Sequence, residues 1–269
     1  MKVVLTIAGS DSGGGAGIQA DLRTFAAHGV HGTSAITAVT AQNSVSVTDY
    51  VALEPRMVVA QVEAVASDMP IAAVKTGMLA NRDIVSAVAD VVRRLALPHL
   101  VVDPVMVAKG GHPLLQQSAV AAVRQHLLPL ALVVTPNIPE AEVLSGITID
   151  SPDRARDAAR AIGGLGPRWV VIKGGHLAGD PTDLVYDGEH FAEFSAQRID
   201  TPNTHGTGCT FSAAIAALLA RGVPPLEAIE AAKIWLTGAI RESYAIGDGH
   251  SPVNHFYAVH LAPLAGGRT

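Results

Sequence analysis

Short apolar runs recur along the chain at Val3–Ala8, Leu100–Val102, Leu132–Val134 and Trp169–Ile172, with no regular polar alternation inside them. A strand loses its period-two alternation when both of its faces are covered, so each run predicts a strand in the interior of a parallel sheet. Between them the spacing turns helical. In Asn81–Leu95 the apolar positions are Ile84, Val85, Val88, Val91, Val92 and Leu95, with Asn81 placed as the cap. A second stripe, Val58, Val59, Val62 and Val65, follows Pro55, a residue suited to a first helical turn. Strand alternating with helix predicts an α/β fold: a mostly parallel sheet with right-handed crossovers and helices on both faces. Two stretches break the rhythm. His31–Val51 is rich in Thr, Val and Ser and predicts extended chain throughout. Asp183–Ile199 predicts consecutive short strands turning near Asp187–Gly188. Either could form a small flap or an antiparallel edge. No repeat, low-complexity stretch or linker divides the chain, so one domain over 1–269 is expected.

Composition narrows the class. Hydrophobic residues make up 49% and charged residues 16%, which is material for one thick, doubly covered core. The net charge of -5 argues against a nucleic-acid partner, which needs a basic surface. Arg154, Arg156 and Arg160 interleave with Asp153 and Asp157, the pattern of a solvated helix face. The single cysteine, Cys209, excludes an internal disulfide and a cysteine-based zinc cluster. No apolar run is long enough to span a membrane, and Met1–Lys2–Val3 enters a strand without a signal-peptide layout. A soluble, cytoplasmic protein with no membrane partner is expected.

In an open α/β sheet, ligands bind beyond the carboxyl ends of the strands. Gly9–Ser10–Asp11–Ser12–Gly13–Gly14–Gly15–Ala16–Gly17 follows the first apolar run, and Asp103 follows the second. Thr135–Pro136–Asn137 follows the third, and Lys173–Gly174–Gly175 the fourth. Chains commonly turn polar where strands end, and any one of these residues has that reading. A carboxylate, an amide, an ammonium and a glycine-rich turn on one edge together point to a phosphate and metal site. The sharpest signal is Asn203–Thr204–His205–Gly206–Thr207–Gly208–Cys209–Thr210, ahead of a helix striped by Phe211, Ile215, Leu218 and Leu219. Small residues at a helix start leave backbone N–H groups free for an anion, and the helix dipole reinforces them. Cys209 falls in that first turn, where a thiolate is favoured and its pKa is expected to drop. It reads as a base there, or else as a small buried hydrophobe. The chain lacks G-x-x-x-x-G-K-[ST], and Gly13–Gly17 does not complete G-x-G-x-x-G, so neither a P-loop nor a dinucleotide fold is supported. His250, His255 and His260 have no matching second motif and read as surface or packing residues.

These pieces, taken together, resemble the hydroxymethylpyrimidine/phosphomethylpyrimidine kinases of the ribokinase-like superfamily. Those that carry the resemblance are Leu5–Asp11, Gly14–Asp21, Thr40–Asn43, Lys75–Leu79, Val102–Met106, Thr135–Glu142, Lys173–His176 and Asn203–Cys209, spread over nearly the whole chain.

The resemblance implies a three-layer α/β/α sandwich with a small β flap, usually a homodimer, working with ATP and Mg²⁺. It implies two successive phosphorylations of a hydroxymethylpyrimidine, to the monophosphate and then the diphosphate, in thiamine biosynthesis. Carried over by motif, Gly206, Thr207, Gly208 and Cys209 form the anion hole, with Cys209 as base where sugar kinases of the superfamily carry Asp. Lys173 and Thr204 touch ATP phosphates with Asn137 and Gly208 nearby. Asp103 and Glu140, with Asn137, organise the metal and its waters. Gln42 reads the pyrimidine edge, and Gly9, Ala16, Asp21, Met78 and Val105 complete that pocket. Pro202 and His112 stand where close relatives are expected to have Lys and Asp, and Ser12–Gly13 replaces the common Pro–Ser. The rival readings are a pyridoxal or dual kinase, a sugar kinase, and a pyrimidine-binding protein without catalysis. The first stays open; Cys209 disfavours the second, and Asp103, Glu140, Lys173 and Cys209 together disfavour the third.

Overall fold

The computed structural model describes residues 1–106, 117–175 and 180–259. The chain starts with β1 (Val3–Asp11), α1 (Gly17–Ala27), β2 (His31–Gln42), β3 (Val47–Ala52) and α2 (Pro55–Asp68). It continues through β4 (Ile71–Thr76), α3 (Arg82–Arg94), β5 (Leu100–Val102), α4 (Gln117–Ala122) and β6 (Val133–Val134). Next come α5 (Ile138–Ser145), α6 (Pro152–Gly163), β7 (Trp169–Ile172), β8 (Thr182–Tyr186) and β9 (Phe191–Ser195). The last helices are α7 (Thr207–Ala220) and α8 (Pro225–Arg241). Among the described residues all nine strands join one sheet in the order β3-β2-β1-β4-β5-β6-β7-β8-β9.

From β2 to β7 every neighbouring pair is parallel. β3 at one edge, and β8 and β9 at the other, are antiparallel. The two stretches that broke the rhythm are thus the sheet's two antiparallel margins, and the expected flap is the outer half of β2 paired with β3.

Successive residues of one strand enter different cores, which is why the apolar runs do not alternate. Leu5, Ile7, Val74, Val102 and Val134 pack into the layer with α2, α3, α5 and α6. Val4, Ala73, Val101, Val133 and Val171 pack against α1, α7 and α8. Asn81 caps α3 by accepting from the Ile84 N–H, and Pro55 opens α2, as the sequence predicts. The Arg/Asp helix α6 carries exposed pairs such as Arg154–Asp157 and Arg156–Asp153, a solvated face. Helix α7, which follows Gly206, is buried nearly all round rather than along one stripe, because it lies between the sheet and α8. Among the described residues no helix is long and apolar enough to cross a membrane.

Candidate active site

The chain enters α7 through Gly206, and no side chain caps the helix. Thr210 N–H makes a backbone bond back to the Gly206 carbonyl at 2.8 Å, which leaves the turn over Thr207, Gly208 and Cys209 as the helix's N-terminal face. A helix start of this kind presents amide hydrogens at the positive end of the dipole. Gly206 is required twice over. Its φ is +76°, and a Cβ there would stand 1.9 Å from the Gly15 carbonyl oxygen. The glycine-rich turn after β1 therefore rests directly on the entry to α7.

On one side of this entry lie the charged groups from the strand ends. Lys173 Nζ donates to Asp103 Oδ1 at 3.1 Å, and Ser212 on α7 donates to the other Asp103 oxygen at 3.4 Å. A Cβ on Gly208 would lie 3.4 Å from Lys173 Nζ and 3.7 Å from Asp103 Oδ2, so both charges abut the first turn of α7. Burial would depress the Lys173 ammonium, but Asp103 and Glu140 hold it above the usual lysine range. Asn137 caps α5 in a reciprocal box with Glu140. Burial raises the Glu140 carboxyl to about 7, with Asp103 adding to the rise and Lys173 opposing it. Two buried carboxylates sharing one ammonium are short of positive charge. Such a donor set fits a hard cation that takes few protein oxygens and keeps its water. Val105 lines a small concavity with Asp103, Thr76 and Gly77.

On the other side lie the groups expected to hold the substrate. A Cβ on Gly9 would touch Met78 Sδ at 3.0 Å, so these two residues are in contact. Asp11 organises the glycine-rich turn by accepting from the N–H groups of Gly13, Gly15 and Ala16, at 2.8, 3.0 and 2.8 Å. Asp11 also accepts from His205 Nε2 at 2.9 Å. Burial would raise the Asp11 carboxyl, but the His205 bond and the turn's amides hold it below its usual value. The Gln42 amide reaches from β2 to His205 at 3.3 Å and to Thr40 at 3.2 Å.

Beneath both halves lies an ion pair with no exposed surface. Thr6 on β1 and Lys75 on β4 are register partners, and both meet Asp21 of α1. Lys75 Nζ stands 2.9 Å from each Asp21 oxygen, and Thr6 donates to Oδ2 at 2.6 Å. Burial pushes the Asp21 carboxyl upward against the pull of Lys75 and Thr6. Burial would also depress the Lys75 ammonium, yet Asp21, with Cys209 and Asp103, holds it above the lysine range. The direction on Lys75 is decisive, because two equal contacts to one carboxylate describe an ionised pair.

Two expectations are corrected here. Asp21 does not line the pocket, because both its oxygens are engaged under the floor and it is fully buried. The Cys209 thiol does not fall: burial pushes it up to about 11, with Lys75 and the Gly17 N–H opposing the rise. The sulfur sits in the first turn of α7, half-buried by surface but surrounded by protein, so lost hydration outweighs the helix terminus. Thr204 lies two residues before Gly206, its N–H donating to the Pro202 carbonyl at 2.9 Å. His112, His176 and His260 lie outside the described residues. His255 is a packing residue bonded to Thr210 at 3.0 Å, and His250 is exposed, its ring 3.1 Å from the Pro202 oxygen. The sequence reading assigned no role to Asp11, His205, Lys75 or Ser212. Lys75 left a signal, a lone charge directly after the apolar run Ile71–Val74; Asp11 and His205 stand in two separate motifs and pair across 194 positions.

A family model described as phosphomethylpyrimidine kinase matches residues 11–254. The hydroxymethylpyrimidine/phosphomethylpyrimidine kinase of Haemophilus influenzae is 52% identical over 262 residues, 95% of this chain and 97% of that protein. The thiamine biosynthesis bifunctional protein ThiED of Geobacter sulfurreducens is 51% identical over 95% of this chain and 52% of its own length. Among solved structures, the pyridoxal kinase of Bacillus subtilis in its ADP complex superposes with a TM-score of 0.90 at 42% identity, covering 96% of this chain and 98% of that one.

Proposed function

The chain belongs to the phosphomethylpyrimidine kinase family, and from that membership we propose a role for each group gathered at the entry to α7. The protein uses ATP to phosphorylate 4-amino-5-hydroxymethyl-2-methylpyrimidine and then its monophosphate, giving the diphosphate for thiamine biosynthesis. The observation that carries the site assignment is the uncapped start of α7, flanked by the Lys173–Asp103 pair and floored by Cys209.

In the first transfer the hydroxymethyl oxygen attacks the γ-phosphorus, the bond to the bridging oxygen breaks, and ADP leaves. Phosphoryl transfer is mainly positioning and charge stabilisation. The N–H groups over Gly206–Cys209 face the charge on the moving phosphoryl group. Lys173 and Thr204 hold ATP phosphates, with Asn137 and Gly208 beside them. Asp103 and Glu140 would hold magnesium with its waters, and the ion would supply charge neutralisation at the phosphates. Gly9, Ala16, Met78 and Val105 shape the pyrimidine pocket, and Gln42 reads its edge. Cys209 accepts the alcohol proton. Its resting thiol is neutral, and only about one site in a thousand is thiolate at pH 8 from a pKa near 11. Lys75 and the Gly17 N–H favour the thiolate once it forms. The second transfer needs no such base, because its nucleophile is a phosphate already anionic near pH 7.

Activity on pyridoxal is a second reading, favoured by the likeness to a pyridoxal kinase at 42% identity. We further propose one domain over 1–269, supported by the single continuous sheet, and a cytoplasmic location. A homodimer belongs to the same proposal, supported by exposed Val39, Val51 and Met57 beside the edge strand β3. The test mixes protein, MgATP and the hydroxymethylpyrimidine, with pyridoxal in parallel, and follows product mass. Mono- and then diphosphate of the pyrimidine is expected; pyridoxal phosphate alone would move the substrate to the second reading.

A further inference from the structure

Gln42 has four hydrogen-bonding positions on its amide, and which of them face a ligand depends on which way round the amide sits. Its neighbours decide that. His205 Nε2 lies 2.9 Å from Asp11 Oδ2. A carboxylate only accepts, so Nε2 carries a proton and donates it to Asp11. With the Gln42 amide placed nitrogen-first, Nε2 of Gln42 would stand 3.3 Å from Nε2 of His205, donor against donor. Turning the amide over puts Oε1 there, so that the N–H donated to Asp11 meets a second, more distant acceptor at 3.3 Å instead of a donor, the choice a hydrogen-bond network makes where O and N are alike in shape. The other end of the amide agrees. Thr40 Oγ1 is 2.9 Å from the Ser10 carbonyl oxygen and 3.2 Å from the Gln42 amide. Its single proton goes to the carbonyl, which can only accept, and Thr40 Oγ1 then accepts from the Gln42 NH₂. Asp11 is itself locked by the three amides of the glycine-rich turn, and the His205 ring packs on Gly15, where a Cβ would lie 2.3 Å from it.

We propose that His205, fixed by Asp11, and Thr40 act as positioning residues that clamp the Gln42 amide in one orientation and thereby set the enzyme's specificity for a 4-aminopyrimidine. In the clamped amide one lone pair faces the His205 N–H, which Asp11 shares at the shorter distance, and one N–H goes to Thr40. One N–H and one lone pair remain side by side. That pair matches a ring nitrogen that accepts next to an exocyclic amino group that donates. A 4-oxo pyrimidine presents the reverse, a ring N–H beside a carbonyl, and would need the amide turned over against both clamps. The inference rests on the reading that Gln42 faces the pyrimidine.

The experiment compares kcat/KM for the 4-amino substrate and for 2-methyl-5-hydroxymethylpyrimidin-4-one. Wild-type enzyme is expected to favour the amine by on the order of 100-fold or more. In His205→Leu the amide is free to turn, and the preference should narrow by about tenfold or more. His205→Gln retains a donor and should restore most of it. A uniform loss on both substrates with the ratio unchanged overturns the proposal and leaves His205 a structural residue. If His205→Leu does not fold, Thr40→Val decides by the same ratio, since it removes the second clamp. Wild-type enzyme that ignores the 4-amino substrate altogether would instead refute the pyrimidine reading itself.

Discussion

Replacing Lys75 by Met tests whether the ion pair under the site is a necessity of burial. Lys75 Nζ is 2.9 Å from both Asp21 oxygens, and neither side chain has any exposed surface. No solvent screens the pair. Removing the ammonium strands a carboxylate whose remaining donor is the Thr6 hydroxyl at 2.6 Å. Breaking a fully buried pair from one side costs about 3–5 kcal/mol, against a total stability of about 5–15 kcal/mol. For a chain of this size each kcal/mol moves the midpoint by about 2–4 °C, so a fall on the order of 10 °C is expected. The stranded carboxyl can escape by taking a proton, so the penalty should shrink as the pH is lowered. Lys75→Met with Asp21→Leu removes both charges and should recover most of the loss, because two apolar side chains need no partner there. Thermal and urea unfolding followed by circular dichroism at pH 7.5 and 5 measure these changes. A single-variant cost below about 1 kcal/mol, or a double variant no better than the single, would refute the reasoning.

Three further outcomes follow from the geometry. If the Cys209 thiolate is the base, the single-turnover rate of the first phosphorylation should rise about tenfold per pH unit between 7 and 9, since the thiol sits near 11. Cys209→Ala should flatten that profile and slow the first step more than the second; equal losses in both steps would sink the assignment. Glu140 binds its proton more tightly folded than unfolded, about 7 against 4.5, so the stability this lends is complete below pH 4.5 and lost as pH rises through 7. In magnesium-free urea titrations, wild-type stability relative to Glu140→Gln should therefore drop by up to about 3 kcal/mol across that window, and a constant difference would contradict it. Gly206→Ala forces a left-handed alanine, at about 1–3 kcal/mol, and drives its Cβ into the Gly15 carbonyl at 1.9 Å. A loss in kcat/KM of about tenfold or more is expected from displacing the anion hole, and wild-type kinetics would count against this geometry.

Much of the architecture was legible along the chain because burial on both faces leaves a local mark. Runs such as Val3–Ala8 and Trp169–Ile172 lose their alternation, and the two extended stretches without a helix between their apolar pieces mark the antiparallel margins. Asp103, Asn137 and Lys173 could be located because ligand groups follow the carboxyl ends of strands, and the chain order alone reveals those ends. The strand β4 went unread: in Ile71–Thr76 the apolar residues stop at Val74, and the charge on Lys75 reads as a boundary. The structure shows it to be a core position, since a lysine can be fully buried once a carboxylate meets it.

Asp21 marks the limit most clearly. By motif it belonged to the pocket, and its neighbours in sequence contain nothing to contradict that. Its place under the floor depends on Lys75, which lies 54 positions away. The same holds for Cys209, whose position at a helix start argues for a lowered pKa while the protein packed around the sulfur raises it. The alternation of strand and helix, the polar groups collected at the strand ends and the family are properties of residue type and local spacing, and the sequence alone determined them. Which charges pair, which way the thiol's pKa moves and how Gln42 is held depend on distances between residues remote in sequence and on the water they lose, and only the tertiary structure decided those.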